Sequence, residues 1–319
     1  MEPVVSESQL RTAYAVCRGI ARREARNFYY SFLALPLAKR NALSAVYAFM
    51  RHADDLSDDE SMPALERRKR LDTWLADWRQ VQAGAPSDDP VFIALADAQK
   101  RCGIPPELLE QLVQGTGMDL ESSCEESAAK REAVGGTAVA SVIRTHRTFA
   151  DLYRYCYLVA SVVGLVCIRI YGYRDPRAER MAERCGIAFQ LTNIIRDVKE
   201  DAAMGRVYFP EEDLSRFGLT LSDFLEDSGR RLEQSRLSPL LEFEAQRARE
   251  YYDSAIELIP LIDVDSRPAL WVMVTIYRRL LEKMAQSNYD VLRARVRLNA
   301  TEKLAILGSG MLKSIFHGI

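Results

Sequence analysis

Apolar residues recur along this chain at helical spacing almost throughout, and no strand-like alternation persists. Leu71, Trp74, Leu75 and Trp78 fall at i, i+3, i+4 and i+7, one apolar face of a helix over about Pro63–Val81. Ser6 and Gln9 have the spacing of a capping box, opening a helix that runs to about Arg26. A second helix follows Pro36 and carries Ala45–Met50. Pro90 opens a short helix ended by Gly103, Pro105 opens another, and residues 82–89 are a loop. Further helices are expected at about 149–171, 177–200, 240–259 and 269–286, with a last amphipathic stretch over 302–317. In that stretch Leu304, Leu307, Met311, Leu312, Ile315 and Phe316 form an apolar stripe, expected to pack on the bundle with at most transient membrane contact. Residues 122–147 are rich in Ser, Ala, Gly and Glu around Gly135-Gly136, and read as an exposed insertion. No internal repeat is visible. The pattern predicts an all-α fold and a single domain over 1–319.

Composition adds exclusions. A formal net charge of -2 without a dominant Lys/Arg block argues against a nucleic-acid binder. Six cysteines lack a CxxC pair and several lie in apolar stretches, so they read as reduced and structural, in a cytoplasmic setting. Met1–Leu10 lacks the basic start and apolar run of a signal peptide. The longest apolar run, Cys156–Ile168, falls short of the roughly 20 residues a membrane span needs. Three histidines cannot supply a His-rich metal centre.

Two acidic clusters carry the candidate chemistry. Residues 51–58 read Arg-His-Ala-Asp-Asp-Leu-Ser-Asp, so Asp54 and Asp58 share a helix face at i, i+4, with Asp55 beside them. Like charges at that spacing destabilise a bare helix, and Mg²⁺, a hard ion held by carboxylates and substrate phosphates, would compensate; a solvated acidic helix end is the alternative. Further on, Gln190, Asn193, Asp197 and Asp201 form a polar stripe emerging from a core-like helix. Such a stripe is unfavourable in a buried setting unless it meets cations or a polar ligand. Arg51 and Arg196 adjoin the clusters, and arginine suits bidentate phosphate binding; each could equally be an ion-pair partner.

These residues resemble the squalene/phytoene synthase family. The similarity runs from about Tyr14 to Leu304 and includes Asn27-Phe-Tyr-Tyr-Ser-Phe32, Ala45–Asp58, Gly117-Met-Asp-Leu120 and Tyr155–Gly164. Its strongest block is Gly186–Asp201, followed by Gly205-Arg-Val-Tyr-Phe-Pro210. The resemblance implies an isoprenoid-synthase helical bundle with a central cavity. It implies that Asp54, Asp58, Asn193, Asp197 and Asp201 hold Mg²⁺ (or Mn²⁺) bridging the diphosphates, and that Arg51, Gln190 and Arg196 bind or orient diphosphate. It places Tyr155 and Tyr277 near the reacting centre and Phe28 and Phe32 along the prenyl channel. Ser161-Val162 depart from the family's usual Gly-Thr or Gly-Ala, and Asn27-Phe28 stand where Ser-Phe is common.

The implied reaction is head-to-head condensation of two prenyl diphosphates with release of diphosphate. Val159–Gly164 resembles the bacterial squalene-type branch and favours a C30 product from farnesyl diphosphate, with NADPH needed if squalene is formed. The alternative is a phytoene-type C40 product from geranylgeranyl diphosphate. A class I terpene cyclase, a phosphohydrolase built on His52 and Asp54, and a non-catalytic helical scaffold are more remote readings.

Overall fold

The computed structural model describes residues 5–59, 61–132, 144–224 and 232–317. The amino-terminal half begins with α1 (Glu7–Glu24), α2 (Arg26–Leu33), α3 (Leu37–Asp58), α4 (Ala64–Gln82), α5 (Pro90–Cys102) and α6 (Pro106–Glu132). A short strand β1 (Arg144–His146) leads into α7 (Phe149–Cys156), a π-helical turn at Tyr157–Ser161, and α8 (Val162–Tyr171). Then come α9 (Arg177–Arg196), α10 (Val198–Ala203), strand β2 (Arg206–Pro210) and α11 (Glu211–Arg216). The chain ends in α12 (Gln234–Leu258), α13 (Arg267–Gln286) and α14 (Ala300–His317).

The helix boundaries follow local chemistry. Ser6 Oγ accepts from Gln9 N at 3.2 Å while Ser6 N donates to Gln9 Oε1 at 2.9 Å, completing the expected capping box. Asp89 caps α5 ahead of Pro90, and Gly103, at φ 61°, ends it. The helix α2 and the strands lie where the sequence reading placed none. β1 and β2 pair in parallel, Arg144 opposite Arg206.

The segment 122–147, expected to be an exposed insertion, carries secondary structure at both ends. Its first part continues α6 to Glu132 and its last residues form β1; residues 133–143 lie outside the described residues. Ser, Ala and Glu are compatible with continuing an established helix, which composition alone did not reveal.

The centre of the bundle is α9, apolar on most of its sides and packed against α12, α8 and the π turn. Close approach there rests on Gly186: a Cβ at that position would stand 2.5 Å from Ser161 Cα. Ser161 is fully buried, and its Oγ donates to Glu183 O at 2.6 Å. The small serine in the variant motif therefore packs the π turn onto α9. The continuous helical run Phe149–Tyr171 is long and apolar enough to cross a membrane by length and mean hydropathy; here it packs against α6 and α9. On the other flank Phe49, Trp74, Trp78 and Phe92 stack together, tying α3, α4 and α5. Cys17, Cys102, Cys156, Cys167 and Cys185 are all free thiols; Cys124 has no described side chain.

The carboxy-terminal helix packs through only part of the expected stripe. Ile306 and Leu307 lie against the core, whereas Leu304, Met311 and Leu312 are exposed. The side chains of Ile315 and Phe316 lie outside the described residues. Gly310 is the residue that seats α14, pressed against Val272 and Trp271 of α13.

Candidate active site

A cavity of about 940 Å³ runs through the middle of the bundle. Its lining changes character along each helix. On α3 it passes from Leu43 through Val46, Tyr47 and Met50 to Asp54. On α9 it passes from Ala182 through Cys185, Gly186 and Phe189 to Gln190, Asn193 and Arg196. Helical spacing thus carries one continuous stripe from hydrocarbon to polar groups on both helices. The polar end gathers the carboxyl ends of α3 and α9. At about 1.5 Å per residue, the stripe from Ala182 to Arg196 is about 21 Å long.

At the polar end Asp54 accepts a hydrogen bond from Thr116 Oγ1 at 3.1 Å. Burial nevertheless pushes its carboxyl up to about 6, with Asp58 adding to the rise. Burial and the neighbouring Asp197 likewise push Asp201 up to about 7. Asp197 is different. Arg196 grips it with Nε–Oδ1 at 2.7 Å and Nη2–Oδ2 at 2.6 Å, and Arg295 does the same at 2.7 Å on both prongs. Burial raises its pKa, but the hydrogen bonds from both arginines outweigh burial and hold it below the usual carboxylate range.

The expected stripe of Asn193, Asp197 and Asp201 is not carried by one unbroken helix. Asp197, at φ -103° and ψ 12°, ends α9 and begins α10. Backbone bonds from Asp197 N to Asn193 O and from Asp201 N to Asp197 O, each 2.9 Å, keep the three residues in succession across the break. Asn193 donates to Gln190 Oε1 at 3.3 Å, and its own Oδ1 is buried without a partner. Tyr277 is buried, hydrogen-bonded to Asn193, and stacked on Phe189 with centroids 4.4 Å apart. Phe28 meets Tyr277 edge-on at 6.3 Å. Desolvation raises the Tyr277 pKa despite Arg196 and Asn193, so its hydroxyl stays protonated near neutrality.

Phe28, Phe32, Asp54, Gln190, Asn193, Arg196 and Tyr277 therefore meet around one cavity. Arg51 pairs with Asp55 and, like Asp58, Asp197 and Asp201, does not line it directly. Tyr155 stands apart from the cavity wall, stacked on Tyr208 at 5.0 Å and near His146 at 5.4 Å. It faces the β1–β2 side because α7 presents it there, two residues before the π turn. His52 lies against Trp74 at 3.9 Å, outside the lining, so it forms no acid–base pair with Asp54 across the cavity.

Sequence reasoning missed Arg295 and Lys303, both lining the cavity. Arg295 sits in a non-helical segment where Arg293, Arg295 and Arg297 alternate with Ala294, Val296 and Leu298. The available signal was the alternation of cations with apolar residues, of which Val296 and Leu298 pack inward. Lys303 stands over the Tyr30 ring at 5.4 Å.

The donor set fits a hard divalent cation. Asp54 and Asp201 carry buried negative charge with too little compensation, and Asn193 offers an unsatisfied carbonyl oxygen. Among the described residues no three of His, Cys, Asp and Glu converge tightly enough to hold an ion alone.

The family description squalene/phytoene synthase matches residues 21–302. A phytoene synthase of Mycobacterium tuberculosis is 34% identical, the match covering 98% of this chain and 94% of that one. A 15-cis-phytoene synthase of Synechococcus elongatus is 33% identical over 96% and 95%. Among solved structures, a ligand-bound dehydrosqualene synthase superposes with TM-score 0.79 at 28% identity, covering 96% of this chain and 99% of that one. A squalene synthase of Alicyclobacillus acidocaldarius gives 0.73 at 27%, covering 89% and 97%. With the cavity, its polar end and these full-length similarities in agreement, the chain belongs to the squalene/phytoene synthase family of prenyltransferases.

Proposed function

We propose that the chain is a phytoene-type synthase, coupling two geranylgeranyl diphosphates head to head into a C40 product with Mg²⁺ at the polar end. The observation that carries this reading is that curated relatives matched along nearly their whole length are phytoene synthases. It replaces the C30 preference drawn from Val159–Gly164. The C30 alternative retains one specific support, the dehydrosqualene and squalene synthases among the structural neighbours. The volume also accords with a large substrate pair, since about 940 Å³ is at the top of the roughly 300–1,000 Å³ range of small-molecule pockets.

In this reading Asp54, Asn193 and Asp201, joined by Asp58 and the clamped Asp197, would hold the metal ions. Bound there, Mg²⁺ supplies Lewis-acid stabilisation of the departing diphosphate. Arg196 and Arg295 face the same end and neutralise charge on the leaving oxygens, with Gln190 orienting them and Arg51 acting from the next turn. The allylic carbon–oxygen bond breaks and its electron pair leaves with diphosphate. The double bond of the second donor attacks the cation, and a proton is lost to give a cyclopropylcarbinyl diphosphate. A second ionisation and a second proton loss yield a phytoene-type triene; hydride delivery from NADPH would yield squalene instead. The aromatic faces of Phe28, Phe189 and Tyr277 stand beside the polar end, where ring quadrupoles stabilise positive charge. The apolar walls exclude the water that would quench the cation.

The test is incubation with farnesyl or geranylgeranyl diphosphate, each with and without NADPH, followed by product mass spectrometry. A C40 triene formed without NADPH supports the proposal. Turnover of farnesyl diphosphate alone would restore the C30 reading, and a cyclised monomer from one donor would favour a terpene cyclase.

A further inference from the structure

At the end of the cavity opposite the carboxylates, one lining residue has a firmly held backbone. Tyr171, the last residue of α8, lines the cavity and is only 4% exposed. Lys39 Nζ donates to its carbonyl oxygen at 2.7 Å and Ser266 Oγ donates to the same oxygen at 2.9 Å. Lys39 is anchored in turn on Asp265 at 2.6 Å. The next residue, Gly172, has φ 80°, and a Cβ there would overlap the Asp263 carboxylate. Asp263 N donates to Gly172 O at 2.8 Å. The amino ends of α3 and α13 are thereby latched to the carboxyl end of α8 at the Tyr171 backbone.

The ring itself is held by volume alone. Its hydroxyl makes no hydrogen bond among the described residues; desolvation, with Cys167 and Cys185 nearby, keeps it protonated. Leu43 and Leu270 line the same end from α3 and α13. A bulky side chain on a rigid backbone, with no polar duty and hydrocarbon lining around it, stops an extended chain at a fixed depth. From Asp54 to Leu43 that depth along α3 is about 16 Å.

We propose that Tyr171 is the specificity-determining floor of the prenyl cavity, setting the longest donor the enzyme accepts. The inference rests on the cavity being the donor site; it does not depend on whether the native donor is C15 or C20.

The experiment measures kcat/KM for farnesyl, geranylgeranyl and geranylfarnesyl diphosphates (C15, C20 and C25) in separate assays, with product mass spectrometry. Tyr171→Ala should raise the C25-to-C20 ratio by at least about tenfold, because a pocket that gains room for several methylenes discriminates by their burial. Tyr171→Trp should shift the ratio in the opposite direction, toward C15. Tyr171→Phe, which keeps the volume and loses no hydrogen bond, should stay near wild type. Opening this site could unfold the chain, so Tyr171→Leu and Tyr171→Trp are read alongside, each with its thermal transition. Folded Ala, Leu and Trp variants that all keep the wild-type ratios would overturn the proposal, as would a Phe variant that shifts as far as Ala. A wild-type enzyme preferring C15 would refute the C40 reading alone, because the floor is read from ratios between donors.

Discussion

Arg295 reaches across 98 positions of sequence to close a two-pronged ion pair on Asp197, 2.7 Å on each prong. Arg196 occupies the same carboxylate from the adjacent position. One anion thus organises two cations, both lining the cavity. Asp197→Asn removes the charge that holds the two guanidinium groups together and leaves them repelling in a half-buried site. Turnover at saturating donor is expected to fall by at least about 100-fold, roughly 3 kcal/mol of barrier, with helicity unchanged by circular dichroism. Arg295→Lys should recover little, since an ammonium cannot reproduce the fork. Wild-type turnover in a folded Asp197→Asn protein would refute this arrangement.

Much of this site was legible from spacing. Asp54 continues the stripe of Leu43, Val46, Tyr47 and Met50, and Asn193 continues that of Gly186 and Phe189, so helical periodicity placed both at a cavity end. Arg295 escaped because the information lay in a non-helical segment with no adjacent acidic residue to advertise a partner; only tertiary folding brings Asp197 beside it. Tyr155 was placed near the reaction by resemblance, and the rotation of α7 turns it toward Tyr208 instead. The helix break at Asp197 was equally hidden, because Ile195 to Val198 reads as uninterrupted helix. The outward-facing side of α14 was misread because its packed face depends on a glycine, which contributes nothing to a hydrophobic stripe.

Under the proposed reading, the buried carboxyls at the polar end lead to an expected metal dependence. Asp54 and Asp201 are pushed up to about 6 and about 7 by burial, charges that a hard cation would stabilise. Activity is expected to require Mg²⁺ or Mn²⁺, to vanish in EDTA and to return on adding either ion. Asp54→Asn should lose at least about 100-fold in turnover, near 3 kcal/mol, and require more Mg²⁺ for half-maximal rate. Full activity after exhaustive chelation would contradict the assignment.

A separate buried cluster should govern part of the pH dependence of stability. Arg247 donates to Asp213 at 2.8 Å and to Glu244 at 2.9 Å, so one guanidinium serves two buried carboxylates. Burial pushes Glu244 up to about 7, and Asp213 adds to the rise against the opposing pull of Arg247; Cys156 also lies near it. The folded-state pKa lies above the ordinary 4.5, so the Glu244 contribution is complete below about 4.5 and is lost as pH rises through about 7. Asp54 and Asp201 act in the same direction, so the informative quantity is a difference. Glu244→Gln should flatten the fall in Tm between about pH 5 and pH 8 relative to wild type. Parallel Tm profiles for the two proteins would exclude Glu244 as a contributor.

Two glycines in α14 should respond to alanine with opposite signs. Gly308 is exposed, and a Cβ there would meet nothing within 4 Å. Alanine at this position gains helix propensity and restricts the unfolded chain, so Gly308→Ala should stabilise by about 0.5–1 kcal/mol. Gly310 faces inward, where a Cβ would stand 2.8 Å from Val272 Cγ2 and 3.0 Å from Trp271 Cε3. Val272 is fully buried, and Trp271 is covered by Lys313 at 4.4 Å, so neither side chain can yield freely. Overpacking of this kind typically destabilises by about 1–3 kcal/mol, enough to exceed the propensity gain. Gly310→Ala should therefore lower stability and loosen α14, while the Lys283–Glu302 pair and the Asn299–Glu302 cap still hold its amino end. Urea unfolding of both variants provides the measurement. If Gly310→Ala proved as stabilising as Gly308→Ala, the close seating of α14 on α13 would be wrong.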